Sequence, residues 1–298
     1  MYRTERWYNE VKNHSLSTPI FIMSMNRSAA PLFSALNSAE KADVHLFIRS
    51  DPHQQNLYSQ YVNQYNVVTL PDWISDAGET REFMLQYAKN HAFRNIFVLD
   101  DRVKSIRFLV PKQSKTGKMS LTAFPSQTIV DGLKVWEKIL EIYPFTLSAP
   151  SHAGFSYYPE NIDAPYVVNN GIIAAAININ VEDVFKYNIH YQRLRDCGGD
   201  DFIFLLDVMK AGLPTCKITD IEYDEIPSDK INGGTHTNIS RAADMEKRLE
   251  KLYAYLQTSY PSPHPYVYIR KTRGVPYPYI RWKYWQNYYS QHMVKNIT

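Results

Sequence analysis

Four short apolar runs, each cut off by polar or charged residues, recur in the first hundred positions and constrain the fold more than any other feature. They are Pro19–Met25 (PIFIMSM), ending at Asn26 and Arg27, and Val44–Ile48 (VHLFI), ending at Arg49, Ser50 and Asp51. The third is Asn66–Leu70 (NVVTL), ending near Pro71, and the fourth is Asn95–Leu99 (NIFVL), ending at Asp100 and Asp101. Runs this short, bounded by polar residues, read as buried strands. Helical stretches separate them: Pro31–Ala42, Gln54–Gln64 and, best formed, Gly78–Ala92. In the last, Phe83, Met84, Tyr87 and Ala88 share one face, and Glu79 and Glu82 suit the N-terminal end. The alternation predicts an α/β domain.

The second half continues the pattern less regularly. Pro125–Tyr143 reads as a long helix and Phe145–Ala149 as a strand followed by Ser151 and His152. Tyr166–Ile179 holds two apolar runs split by Asn169, Asn170 and Gly171, a turn or bulge signal. Gly198-Gly199-Asp200-Asp201 opens a helix that runs to Gly212, Pro214–Tyr223 is a strand, and Ile239–Gln257 is a charged amphipathic helix. Lys112–Met119 is polar and basic, the composition of a loop.

The chain has 298 residues, enough for one large domain or two ordinary ones, and is 44% apolar and 21% charged, as soluble globular proteins are. Its two cysteines, Cys197 and Cys216, are too few for a disulfide framework and lack zinc-type spacing. The N-terminal segment Met1–Asn13 is polar, without a signal-peptide pattern, and no apolar run approaches the roughly 18 residues of a membrane span. A cytoplasmic location without membrane contact is expected. The net charge of +3 is unevenly spread: from Ser259 onward come Arg270, Lys271, Arg273, Arg281, Lys283 and Lys295 with no acidic residue, so the rest of the chain carries −3. Ten Tyr and Trp residues are woven into that tail. Such a segment either grips nucleic acid through phosphates and stacked rings or wraps the body with its charges solvated.

In open α/β sheets, ligands lie outside the carboxyl ends of the strands. Asn26, Arg27, Arg49, Asp100 and Asp101 all stand at such ends, where a phosphorylated ligand can bind. Neither GxGxxG nor GxxxxGK[ST] occurs, which argues against a dinucleotide oxidoreductase and a P-loop NTPase. Asp200 and Asp201 serve either as helix caps or, with Gly198 and Gly199 permitting close approach, in chemistry. His236 is either an ordinary loop residue or a partner for a distant carboxylate pair. Trp73 either stacks on a ligand or packs at the rim.

These residues carry a resemblance. Strands leading to a carboxylate pair near residue 100, a glycine–acid pair near 200 and a downstream histidine look like the GT-A glycosyltransferase layout. The segment from Gly78-Glu79-Thr80-Arg81 to Val98-Leu99-Asp100-Asp101 further resembles the TET/JBP-associated glycosyltransferases, a group linked to sugar transfer onto hydroxymethylated pyrimidines in DNA, phage DNA included. The resemblance implies a Rossmann-type mixed, mostly parallel sheet flanked by helices. Residues 1–258 would form the catalytic domain, with a nucleotide-sugar half at about 19–110 and an acceptor half at about 125–238. Residues 259–298 would be a basic aromatic extension whose Arg270, Lys271, Arg273, Arg281 and Lys283 contact DNA.

The resemblance also implies roles. Asn26, Arg27 and Arg49 would contact the nucleotide of a sugar donor, UDP-linked by analogy, and Arg81 the diphosphate or sugar. Asp100 and Asp101 occupy the DxD-like position, contacting ribose or sugar and, through Asp101 with His236, a Mg²⁺ or Mn²⁺ ion. Asp200 or Asp201 would act as base or orient hydroxyls. Ser151, His152, Asn169, Asn170 and Gly171 would face acceptor or sugar. One departure bears on the cation: Arg102 stands where a third acid would follow, and it either neutralises diphosphate itself or points away. The expected reaction is glycosyl transfer to 5-hydroxymethylcytosine or another hydroxymethylated pyrimidine in DNA. The alternatives are a GT-A transferase with a glycan or protein acceptor, and a non-catalytic DNA-binding module with a degenerate transferase fold.

Overall fold

A computed structural model describes residues 1–41, 43–113, 115, 117, 119–153, 164–168, 175–191, 200–227, 241–259, 267–272 and 275–280. In chain order the elements are α1 (Arg3–Val11), β1 (Ile20–Met23), α2 (Pro31–Ala35), α3 (Ser38–Lys41), β2 (Val44–Ile48), α4 (Pro52–Tyr58), β3 (Asn66–Thr69), α5 (Ala77–Asn90) and β4 (Asn95–Asp100). There follow β5 (Val103–Gln113), β6 (Met119–Ala123), α6 (Ile129–Ile142), β7 (Leu147–His152), β8 (Tyr166–Val168), β9 (Ala176–Asn180), α7 (Val181–Lys186), α8 (Asp200–Lys210) and β10 (Thr215–Glu225). The last are α9 (Arg241–Ser259), β11 (Val267–Thr272) and β12 (Val275–Ile280).

One large mixed sheet runs in the order β3-β2-β1-β4-β9-β7-β10-β5-β6, with β8 also paired to β10. Strands β3, β2, β1 and β4 are all parallel, so the four apolar runs of the first hundred residues lie side by side and end at one edge. Strand alternation sorts their side chains into two cores. Phe21, Phe47, Ile96 and Val98 pack with α5 and α8 through Met84, Leu85, Ile203 and Leu206. Ile20, Ile22, Leu46, Phe97 and Leu99 face the other layer, with Leu32, Tyr58 and Trp136 of α2, α4 and α6. Burial on both faces of the sheet explains the mainly apolar β1, β2 and β4, whereas β3, at the edge, has no buried residue and carries Asn66 and Thr69 exposed.

The structure departs from the sequence reading where tertiary contacts intervene. The basic stretch expected as a loop is entered by β5, which reaches Gln113, and left by β6 from Met119; the two form an antiparallel ladder. The helix expected over Gln54–Gln64 instead starts at Pro52, capped by the Asp51 carboxylate accepting from Gln54 N, and gives way to a 3₁₀ turn at Ser59–Tyr61. The polar N-terminus forms α1. Its Trp7 is buried, Thr4 Oγ1 donates to Leu109 O at 2.6 Å, and Arg3 pairs with the fully buried Asp220 at 2.6 Å. Among the described residues no helix is long and apolar enough to cross a membrane.

Candidate active site

Asp100 and Asp101 are neighbours in sequence but part company at the sheet edge. Continuing the alternation of Ile96 and Val98, Asp100 closes β4 on the face of α5 and α8. Asp101 falls in the turn beyond and engages groups of the other layer. It is 2% exposed, accepts from Ser24 Oγ at 2.5 Å and pairs with Arg27 Nη1 at 3.0 Å. The Ser24 hydroxyl is 2.6 Å from the Tyr58 hydroxyl, which accepts from Arg27 N at 3.0 Å. Asn26 sits in the left-handed region at φ 58°, its N–H donating to Gln54 Oε1 at 3.0 Å. Burial and the neighbouring Asp100 charge push the Asp101 carboxyl up to about 7, against the pull of Ser24 and Arg27. Burial likewise pushes the Tyr58 phenol up to about 12. The loop after β1 is therefore pinned by a closed polar cluster.

Asp100 has a different partner. Arg102 reaches back with Nε 3.1 Å from Oδ1 and Nη2 3.0 Å from Oδ2, a two-pronged pair that also includes Arg102 N at 3.1 Å from Oδ1. The same guanidinium lies 3.2 Å from Glu225 Oε2 and donates through Nη1 to Ile226 O at 3.1 Å. Burial opposes ionisation of Asp100, yet Arg102 holds its carboxyl below the ordinary value. Arg102 thus ties the tip of β4 to the end of β10.

The N-termini of α5 and α8 meet near the same edge. Asp76 caps α5 by accepting from Glu79 N at 2.7 Å, and buried Glu79 accepts from Ser75 N at 2.6 Å. Arg49, at the end of β2, donates to Ser75 O. At Gly78 a Cβ would stand 3.1 Å from Asp200 Cβ, so glycine here lets the two helix ends close up. Arg81 donates through Nη1 to Asp200 Oδ2, and its guanidinium lies 5.8 Å from the Tyr191 ring centroid. Tyr191 stacks on Phe204 with centroids 3.9 Å apart. Burial, with the Asp200 charge beside it, pushes the Asp201 carboxyl up to about 6 while Arg81 pulls it back. That places an acid beside a helix N-terminus near neutrality, where a proton acceptor is useful.

Of the other sequence candidates, His152 stays beside the Arg102–Glu225 pair, close enough to Glu225 to favour its ionised form. Ser151 is buried in β7, donating to Ile218 O at 3.2 Å, and His152 packs its ring against Tyr223 at 5.0 Å. Trp73 is 57% exposed between β3 and α5. Arg270 and Lys271 lie in β11, which pairs only with β12 among the described strands. Asn169, Asn170, Gly171, His236, Arg273, Arg281 and Lys283 lie outside the described residues. Sequence reasoning missed Ser24, Gln54, Tyr58, Tyr191 and Glu225. Glu225 carried the same signal as Asp100, a charge at a strand end; the others carried none.

The family model of the TET-associated glycosyltransferases matches residues 18–234. The chain belongs to this family. The TET-associated glycosyltransferase match spans α5, β4 and α8, so Arg81, Asp100, Asp101, Asp200 and Asp201 all fall within it, while β11 and β12 fall outside. The protein is accordingly a glycosyltransferase enzyme that uses a nucleotide-sugar donor. No curated protein matches the sequence. Among solved structures, A197 from STIV is 16% identical with a TM-score of 0.36, covering 72% of this chain and 87% of that one. GalNAc-T7 with UDP, GalNAc and Mn²⁺ is 11% identical with a TM-score of 0.37, covering 72% of this chain and 44% of that one. A protein described as a nucleotide-diphospho-sugar transferase from Desulfovibrio desulfuricans G20 is 10% identical with a TM-score of 0.36, covering 81% and 97%.

The donor set can be tested against a divalent cation. Both Asp100 oxygens accept from Arg102, and the Asp101 oxygens accept from Ser24 and Arg27. Among the described residues no group of three His, Cys, Asp or Glu side chains is arranged to hold a metal ion. The described residues of this glycosyltransferase therefore do not fit a cation by themselves.

Proposed function

We propose that the protein transfers a sugar from a nucleotide-sugar donor, UDP-linked, to the hydroxyl of 5-hydroxymethylcytosine or another hydroxymethylated pyrimidine in DNA. The observation that carries the reading is the TET-associated family match across both acidic sites, residues 18–234. The basic, aromatic, acid-free stretch from Ser259 to Thr298 supports a polyanionic acceptor. The C5 substituent of cytosine lies in the major groove, where it can be reached directly or after flipping of the base.

In this reading the donor lies across the carboxyl edge of β1, β2 and β4. Asn26 and Arg49 frame the nucleotide, and the Asp101–Arg27–Ser24 cluster holds the loop of Asn26 in shape. Asp100, on the α5 and α8 face, contacts ribose or sugar hydroxyls. Cleavage of the sugar–diphosphate bond leaves negative charge on the diphosphate, which Arg102 and Arg81 offset. Asp201 takes the proton of the attacking hydroxymethyl group, while the Arg81 charge, paired with Asp200, favours its ionised form. A Mg²⁺ or Mn²⁺ ion would require Asp100 released from Arg102 together with an additional ligand such as His236, and no step here passes through it.

The test offers labelled nucleotide sugars to duplex DNA bearing hydroxymethylcytosine, to unmodified duplex, and to oligosaccharide and protein acceptors. Label on modified DNA alone is expected. Label on saccharide or protein with none on DNA refutes the acceptor, and label on none of them refutes the enzyme reading.

A further inference from the structure

Arg81 favours the ionised form of Asp201 from a different helix, so its effect depends on how α5 and α8 are held against each other. Among the described residues its hydrogen bond to Asp200 runs through Nη1, one contact rather than the two-pronged grip of Arg102 on Asp100. A single contact leaves the guanidinium room to swing about it. The second hold comes from Tyr191. The Arg81 guanidinium lies over that ring, 5.8 Å from its centroid and within cation–π reach.

Both helices grip Tyr191 in turn. On the α8 side its ring lies parallel to Phe204, with an interplanar angle of 4° and centroids 3.9 Å apart. Phe204 follows Asp200 by one helical turn, so the stack and the two carboxylates belong to the same end of α8. On the α5 side the Glu82 carboxylate accepts from Tyr191 N at 2.9 Å through Oε2 and lies 2.9 Å from His190 Nδ1 through Oε1. Glu82 is the residue after Arg81, so the helical turn that bears the guanidinium also holds the backbone that bears the ring. Tyr191 is 1% exposed, and its hydroxyl is buried with no hydrogen-bond partner among the described residues. An unpaired buried hydroxyl is a cost. The hold on this residue is therefore made by its ring and its backbone.

We propose that Tyr191 is a positioning residue for sugar transfer: its ring, fixed between Phe204 and the Glu82-held backbone, keeps the Arg81 guanidinium in register with Asp200 and Asp201. The proposal deepens the reading of Asp201 as proton acceptor and rests on it. Transfer of labelled sugar to hydroxymethylcytosine duplex is followed as kcat/KM against pH for the parent, Tyr191→Phe, Tyr191→Leu and Phe204→Leu, with Tm recorded for each. Tyr191→Leu is expected to move the acid limb up from about 6 by about one pH unit, because a displaced Arg81 no longer pulls the Asp201 carboxyl down. Phe204→Leu should move it the same way by less, and Tyr191→Phe, which keeps the ring, should restore the parental profile. Water entering the vacated space would relieve the burial of Asp201 and move the limb down, so the direction separates the two causes. A ring that serves packing alone lowers Tm and leaves the limb in place. A limb unmoved or moved down in the folded leucine variants overturns the proposal, and Phe204→Leu decides if Tyr191→Leu does not fold. Lost turnover in a normally melting Tyr191→Phe protein also overturns it, since the hydroxyl would then be the working group. A parental limb that persists in Asp201→Asn overturns the proton-acceptor reading, and the positioning role with it.

Discussion

Removal of the Asp101 carboxylate should unfold the donor side of the molecule more readily than it silences chemistry. Asp101 is 2% exposed, and its partner Arg27 has a side chain only 9% exposed. Asp101→Ala removes the ion pair with that guanidinium at 3.0 Å and the hydrogen bond from the Ser24 hydroxyl at 2.5 Å. Above about pH 8, where the Asp101 carboxyl is ionised, breaking this buried pair from one side costs about 3–5 kcal/mol, and less as the carboxyl protonates through about 7. At about 2–4 °C per kcal/mol for a chain of this size, Tm should fall by on the order of 10 °C. Arg27→Met should cost about 2 kcal/mol less in the Asp101→Ala background than in the parent, the coupling of the pair. Thermal and urea melts followed by circular dichroism measure both. A single variant that melts like the parent, or a double variant worse than the single by the full cost of Arg27→Met, refutes a buried positioning role. Lost transfer in a normally melting Asp101→Ala protein would instead place this carboxylate on the donor.

Three further outcomes follow from the site. Asp201 with its carboxyl near 6 must be ionised to accept a proton, so kcat/KM should rise with pH through about 6 and level off above it, and Asp201→Asn should remove that limb together with most of the turnover. The same elevation means that the native protein binds more protons than the unfolded chain between about 4 and 6, so this group's contribution to stability falls as pH rises across that window. Arg102→Ala frees Asp100, so chelation by EDTA should depress transfer by the variant more than by the parent; equal loss in both would show that Arg102 does not substitute for a cation.

The local grammar of the chain specified much of the frame. Runs such as VHLFI and NIFVL could be placed as strands because a strand buried on both faces is made mainly of apolar residues, and Glu79 and the Gly78–Ala92 periodicity marked α5. The polar residues that end those strands could be picked out as candidates for the same reason, since charge is affordable only where the sheet stops. Alternation along β4 also contains, in principle, the separation of Asp100 from Asp101.

Only the tertiary structure decided which partner each charge received. Arg102 finds Glu225 and Arg81 finds Asp200 across 123 and 119 positions of chain respectively, distances over which no spacing rule operates. Likewise α1 forms because Thr4 and Trp7 have a sheet to pack against, and β5 extends because β10 and β6 supply its ladder. A short sequence window reports the burial a segment needs, whereas the neutralising group for a buried charge is chosen by which strands the sheet brings together.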